Sequence, residues 1–448
     1  MPPEARFFIR SMLSMLDIIV AVLLEKKTRK NSSNSGLPPS QNNGSNGNRN
    51  KGSGDRAGLG SAAANTRQVE TKEITSPDEC AKCGEDLGEV KATGREERKK
   101  IDIIYEIVTH TVVAEIKKCP SCKHTNKGSF PEGVDGEIQY GDGIKAAIIN
   151  YLVVQMMSLQ RVQEHLMGLV GRSLSQAIML KYLWQFSEGL REWEEQQIKK
   201  LLSCKVIHCD ETSTRVNKVN WWVHSYSSGE ITLKFLHQGR GTAAMEDIGI
   251  IPRYGGVLIH DCWASYLSYE NTGHALCGGH LLRELKFIEQ SCSYKWATKV
   301  KKILQEAAKR VASRPGKRVL NKQEYKRLQS RYRNALTRGL EEMPSFPEKS
   351  GKRGRTKCTD AQNLWSRLNK YEDSVLMFAR IKEVDFTNNR AERDLRISKV
   401  KQKMSGGFRT EEMARVFYRI SSYVKSMRYK GYSSIEAISL AMQGKIPA

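Results

Sequence analysis

The succession of elements between Lys205 and Ser291 constrains the fold more than any other part of the chain. Three β-rich segments come first, KVIHCDET, NWWVHSYSS and ITLKFLHQG, the last two joined through Ser227-Ser228-Gly229-Glu230. A short helical stretch around Met245 follows, then the strand GVLIHD, a helix, the strand HALCG and the helix GHLLRELKFIEQS. Runs rich in β-branched and aromatic residues between turn residues read as strands, and apolar residues at helical spacing read as helices. Three antiparallel strands followed by alternating helices and strands imply one mixed sheet covered by helices.

That order is the order of an RNase-H-like α/β domain, in which the first and fourth strands lie side by side. Asp210 closes the first, after Val206-Ile207-His208-Cys209, and Asp261 closes the fourth, after Val257-Leu258-Ile259-His260. Their carboxylates then meet at one end of the sheet. A third acid is expected on an adjacent helix, and Glu392 fits: in TNNRAERDLR it stands about one turn in from Asn388 or Asn389 as cap. Taken singly, each acid reads as a strand-end or capping residue; the coincidence of three points to chemistry. Converging carboxylates repel each other unless a divalent cation sits among them. Oxygen donors select Mg²⁺ or Mn²⁺. Two such ions about 4 Å apart activate a water or a DNA 3′-hydroxyl and stabilise the leaving oxygen, which is phosphodiester cleavage and transfer. Glu211 is expected on the opposite sheet face and Asp394 roughly 200° around the helix from Glu392, so both are second choices. His208 and His260 are expected to point away from the acids, and Cys277 and His280 read as packing and capping residues.

Ten cysteines bear on compartment. Cys80 and Cys83 form one CxxC pair, Cys119 and Cys122 another, and the remaining six are scattered singly. Two thiolate pairs at this spacing are expected to complete a tetrahedral Zn²⁺ site, chance pairing or a redox CxxC being the alternatives, and the single thiols suit a reducing cytoplasm. KIDIIYEIVTHTVVAEIKK between the pairs reads as two strands presenting the second one.

Charge narrows the partners. The chain carries 73 Lys+Arg against 49 Asp+Glu, a formal net charge of +24. Residues 295–370 hold 22 basic and 6 acidic side chains, and residues 26–56 hold seven and one. Such concentrated imbalance favours contact with DNA phosphates, with Lys352, Arg353 and Arg355 the densest cluster. A hydrophobic content of 39% excludes a wholly disordered basic protein. The apolar run from Phe7 to Leu24 is broken by Arg10 and Asp17, so it reads as a helix with Leu13, Leu16, Val20 and Leu24 on one face and not as a membrane span. Residues 26–68, as in NSSNSGLPPSQNNGSNGNRNKGSG, read as a disordered basic Asn/Ser/Gly linker. Between Gly141 and Leu202 three apolar-faced helices are expected, the last two joined through Gly171-Arg172-Ser173 with Ser173 or Ser175 as cap, which is compatible with a helix-turn-helix although a plain helical bundle fits the pattern better.

The chain resembles transposases of the insertion-sequence-66 type, which are DDE enzymes. The resemblance runs through KNSSNSGLPPSQ, the paired CxxC module, YGDGIKAAIINYL, GRSLSQ, HCDETSTRV, LIHDCWASY with CGGHLLRELKFI, and FTNNRAERDLRISKVKQKMSGGFRT. It implies that Asp210, Asp261 and Glu392 are the DDE triad holding two Mg²⁺ or Mn²⁺, that the cysteine module holds structural Zn²⁺, and that a helical insertion interrupts the catalytic fold. Arg393 and Arg396, beside the third acid, join Lys352, Arg353 and Arg355 as expected DNA contacts. The organisation that follows is an N-terminal helix (1–25), the linker (26–68), a zinc-binding domain (69–130) and a helical DNA-binding region (138–202). The catalytic domain comes in two parts (203–293 and 385–431) around a basic helical insertion (294–384), with a C-terminal tail (432–448). Expected partners are double-stranded DNA, further copies of the chain in a synaptic complex and accessory proteins encoded beside it. The expected location is the cytoplasm, with no membrane association. Two other readings fit the same acids: an RNase-H-fold nuclease such as a junction resolvase, and a non-catalytic DNA-binding derivative of a transposase.

Overall fold

A computed structural model describes residues 3–28, 30–31, 34–35, 78–98, 106–131, 133–134, 136–171, 173–314, 316, 319–347 and 358–447. Most of the expected linker and the Lys352, Arg353 and Arg355 cluster lie outside the described residues. The chain divides into two compact units, Gly44–Val112 and Met1–Asn43 with Val113–Ala448. In the smaller unit, an isolated bridge between Glu79 and Asp86 closes a turn around Cys80 and Cys83.

The larger unit begins with α1 (Pro3–Lys27). Leu13, Leu16, Val20 and Leu24, expected on one face of this helix, are exposed, while Ala21 and Glu25 are buried. Strands β1 (Ile116–Lys118) and β2 (Thr125–Lys127) form an antiparallel pair across the Cys119 turn. Of the two strands expected over 100–118, residues 99–105 lie outside the described residues and 106–115 are not strand. The partner of 116–118 comes instead from beyond the knuckle.

Helices α2 (Asp142–Ile149), α3 (Leu159–Val170), α4 (Gln176–Gly189) and α5 (Arg191–Leu202) follow, α2 running on into a π-helical turn over Asn150–Val154. Ser158 and Ser175 cap α3 and α4, and Gly171 ends α3 in the left-handed region. The single last helix expected here is two, divided at Leu190. Met179, Tyr182, Leu183 and Phe186 of α4 and Trp193 of α5 join the same apolar cluster as the sheet residues Ile207, Leu233 and Leu236.

The sheet consists of β3 (Val206–Val216), β4 (Val219–Ser228), β5 (Ile231–His237), β6 (Val257–His260) and β7 (Gly273–Leu276), in the order β5-β4-β3-β6-β7. β3, β4 and β5 pair antiparallel, and β3, β6 and β7 pair parallel. Asp210 therefore does not close its strand: β3 continues to Val216 and turns through Asn217 and Lys218, both at positive φ. The crossovers are α6 (Thr242–Ile248) with a 3₁₀ turn at Ile251–Arg253, then α7 (Ala264–Leu267).

Helix α8 (Gly278–Cys292) leads into α9 (Lys295–Ala312), α10 (Lys322–Glu342), α11 (Asp360–Lys370) and α12 (Glu372–Leu376). These build a second apolar cluster around Trp296, Leu304, Tyr332 and Leu368, continuous with Val206, Ile259 and Ala275 of the sheet. The Glu25 carboxylate accepts the Asp360 and Ala361 backbone N–H groups at 2.8 and 2.9 Å, so α1 caps α11. Helices α13 (Asn389–Ser405) and α14 (Glu411–Tyr429) return to the sheet. The residues expected as a C-terminal tail contain a further helix, α15 (Ser434–Met442), whose Ala437 and Ile438 are fully buried. Among the described residues no helix is long and apolar enough to cross a membrane.

Candidate active site

Register brings the two aspartates together. β3 and β6 pair in parallel with Val206 opposite Val257 and His208 opposite Ile259, so two residues further on Asp210 stands level with Asp261. Period-two alternation puts both on one sheet face, and Glu211 on the other. There the buried Glu211 carboxylate accepts from Arg240 at 2.6 Å and from the Tyr266 hydroxyl at 2.5 Å. Arg240 in turn stacks between Trp222 and Trp263, 4.9 and 3.7 Å from their ring centres. Burial, with the Asp261 charge second, raises the Glu211 carboxyl to about 7 against the pull of Tyr266 and Arg240.

Glu392 reaches this face from the first turn of α13. Burial first, then the charges of Glu211, Asp261 and Glu392, push the Asp210 carboxyl well above its usual range. Hard oxygen donors with that much uncompensated repulsion fit a divalent cation. The acids are not drawn tightly together, however. Among the described residues, the group of three whose ligand atoms all fall within 4.8 Å of one another is Cys277, His280 and Glu392.

Asn388 is the N-cap residue of α13, one of the two expected, although its side chain makes no capping bond. Its amide instead donates to the Cys209 carbonyl at 2.6 Å and pairs through Oδ1 with His208 Nδ1 at 3.1 Å, both on β3. Its backbone N–H donates to Cys277 Sγ at 3.1 Å. The turn entering α8 is clasped to the same segment by the Gly278 N–H to Phe386 carbonyl bond of 2.8 Å. A Cβ at Gly278 would lie 2.3 Å from the Phe386 ring, so only glycine admits this approach. His280 Nδ1 thereby stands 3.7 Å from Glu392 Oε1, and neither atom has a hydrogen-bond partner. Cys277 and His280, read from sequence as packing residues, are neighbours of the third acid. Their CxxH spacing was the available signal, but only the return of α13 gives it meaning.

The second-choice acid Asp394 is structural. It is buried, accepts from Ser227 Oγ at 2.7 Å, Thr232 Oγ1 at 2.9 Å and Tyr429 OH at 2.9 Å, and lies 3.4 Å from Lys425 Nζ. Burial opposes its ionisation, but Lys234, Ser227 and Lys425 outweigh that and hold the carboxyl below its usual range. This pins α13 to β4 and β5. At the far end Gly407, at φ +132°, passes so close to the Arg215 carbonyl that a Cβ would sit 2.4 Å from it. His260 faces His274, Nε2 to Nδ1 at 3.1 Å, and burial lowers its pKa to about 3. His208, expected to point away from the acids, is two residues from Asp210 and so shares its sheet face, where it meets Asn388 and stands 3.5 Å from Asp385.

Each CxxC turn is a knuckle of the same build. Gly84 donates its N–H to the Cys80 carbonyl at 2.9 Å, and Lys123 donates to the Cys119 carbonyl at 3.0 Å, both turn residues at positive φ. Backbone N–H groups of Lys82 and Cys83 lower the Cys80 thiol pKa, as those of Cys122 and Ser121 lower that of Cys119. Arg393 and Arg396 are exposed on α13 and share a cavity with Glu392.

Against known families, residues 137–416 match the model described as Transposase IS66 family, well over half of the chain. No curated protein matches.

Proposed function

This chain belongs to the IS66 family of transposases, and from that premise we propose that it cleaves DNA at insertion-sequence ends and transfers the freed 3′ ends to target DNA. Asp210, Asp261 and Glu392 are the acids of that chemistry. The observation that carries this reading is the level placement of Asp210 and Asp261 on adjacent parallel strands, with Glu392 entering on α13. The strand order β5-β4-β3-β6-β7, with only the first three antiparallel, supports an RNase-H-like core.

The three acids would hold two Mg²⁺ or Mn²⁺, which supply charge neutralisation at the attacking and leaving oxygens. The protein's own part is placement. Asn388 sets the start of α13 against β3, Asp394 holds its middle, and the Gly406-Gly407 turn anchors its end. His280, its pKa lowered by burial and then by Arg283, stands beside Glu392. Each CxxC turn, by its spacing and by the backbone N–H groups that lower its first thiol, offers a pair of thiolate ligands for structural Zn²⁺. Arg393 and Arg396 contact DNA, as do Lys352, Arg353 and Arg355 in the insertion. Assembly into a synaptic oligomer, accessory proteins and a cytoplasmic, nucleoid-associated location belong to the same reading.

The test is Mn²⁺- or Mg²⁺-dependent nicking of a duplex carrying an end of the chain's own element. Wild type should nick and Asp261→Ala should not; equal activity in both sinks the assignment. Zinc analysis of the same preparation should find metal that Cys119→Ser loses.

A further inference from the structure

We propose that Arg283, Arg390, Arg393 and Arg396 form a pocket for one phosphodiester of the DNA strand, directly beside Glu392. The inference rests on the transposase reading and adds to it two arginines, Arg283 and Arg390, together with a defined place for the backbone. The four arginines line one cavity of about 460 Å³, together with Glu392 and Asp385. They come from two separate elements: Arg283 from α8, the other three from consecutive turns of α13.

Four cations around one cavity repel one another and call for anions. Among the described residues none of the four has a carboxylate within 4.0 Å, although two carboxylates line the same cavity. Asp385 is engaged with His208 at 3.5 Å, and Glu392 faces His280 at 3.7 Å. The Nε atoms of Arg283 and Arg390 are buried without a hydrogen-bond partner. Among the described residues two other partly buried arginines are paired, Arg419 with Glu194 at 2.9 Å and Arg367 with Glu284. An unpaired buried guanidinium donor is costly unless a ligand completes it. The planar fork of arginine matches the paired oxygens of a phosphate, and several such forks fix a strand by its backbone without reading its bases. Arg390 is held for this purpose by stacking 4.5 Å over the Tyr429 ring and by donating to the Ile231 carbonyl at 3.2 Å. A phosphate seated here places the strand against the third acid.

The experiment uses the full-length chain and a random-sequence DNA duplex, with Kd measured by fluorescence anisotropy across a KCl series. Arg283→Gln should reduce the slope of log Kd against log[KCl] by about 0.9, the value of one phosphate contact on duplex DNA. Arg283→Lys should recover most of it, and inorganic phosphate should compete at far higher concentration than the duplex. Arg191→Gln, which removes a guanidinium already paired with Glu188, is the control and should leave the slope unchanged. An unchanged slope in Arg283→Gln with a wild-type thermal midpoint overturns the pocket, as does an equal drop in Arg191→Gln, which would make the effect one of overall charge. The two proposals fail separately. Wild-type nicking that Asp261→Ala abolishes, with no slope change in Arg283→Gln, leaves the catalytic reading standing without the pocket. A slope change with no nicking by wild type keeps the pocket and removes the catalytic reading.

Discussion

The acids on the sheet and the cations of the insertion are both clusters of like charge, yet the fold treats them in opposite ways. Asp210 sits on a central strand, Asp261 at the end of its parallel neighbour, and Glu392 on a helix held by Asn388, Asp394 and Gly407. On α9 and α10, by contrast, Lys302, Lys309, Lys322, Lys326, Arg327 and Arg338 project into solvent, while Arg331 and Arg333 are already paired with Glu306 and Glu372. Charges fixed by buried contacts work through geometry, so losing one disables the rest. Charges on an exposed helix work by their sum, so each is worth a small and similar amount.

The largest separation between the regions should appear in catalysis. Asp261→Ala is expected to lower the single-turnover nicking rate by at least roughly a thousandfold, the upper range for one electrostatic contact to a transition state. Arg338→Gln should change the same rate, measured at saturating DNA, by less than about threefold. A comparable loss in both would erase the distinction.

Stability comes next. Asp394→Ala leaves Lys234 and Lys425 without their buried counter-charge and should cost about 3–5 kcal/mol in urea unfolding, the usual consequence of breaking a buried pair. The Asp394 carboxyl is depressed in the folded protein, so its stabilisation is present above the unfolded aspartate value of about 3.9 and disappears as pH falls through the lower folded value. The gap between wild type and Asp394→Asn should therefore close in acid. A gap that widened there would mean that the carboxyl is not ionised in the fold.

Asn388→Ala tests whether placement alone matters. It removes the bonds to His208 and Cys209 and leaves the buried Cys209 carbonyl unmet, at about 1–3 kcal/mol for one unsatisfied group. Nicking should fall further than this stability loss explains, because Glu392 loses its register against Asp210. Asn388→Asp, which keeps an acceptor for His208 but has no amide to donate, should not restore it. A variant that unfolds more easily but nicks at the wild-type rate when folded would show that α13 is positioned by Asp394 alone.

How much of this was legible in the sequence follows from the range of each interaction. Strand order, α6 and the pairing of Asp210 with Asp261 could be read because period-two apolar patterning and short connections are local signals. Strand length could not: β3 runs past Asp210 because Thr212, Ser213 and Thr214 find partners on β4, a fact of register. The division of α4 from α5 at Leu190 was hidden by uninterrupted helical residues, and α15 was read as tail although Ala437 and Ile438 are fully buried. Among the proposed site residues, the position of Glu392 in the first turn of α13 was visible from its spacing after Asn388. The roles of Asn388, Cys277 and His280 were not, since each depends on a contact more than a hundred residues away along the chain.

The smallest expected effects lie on the insertion, where they decide whether its charge is a DNA surface at all. Lys326→Gln and Arg338→Gln each remove one exposed cation without a carboxylate partner among the described residues, and each should leave stability within about 0.5 kcal/mol of wild type. If the helices lie along duplex DNA, each substitution should weaken binding equally for all sequences and reduce the salt slope by up to about 0.9, with the two effects adding. Additivity is the informative part. Residues acting through the summed field have no shared geometry to lose, whereas Asn388→Ala combined with Asp394→Ala should be strongly non-additive because both hold the same helix. A salt slope that stays at the wild-type value in the double variant would return α10 to ordinary solvated surface. The proposed DNA contacts would then rest on Arg283 of α8, the arginines of α13 and the Lys352, Arg353 and Arg355 cluster.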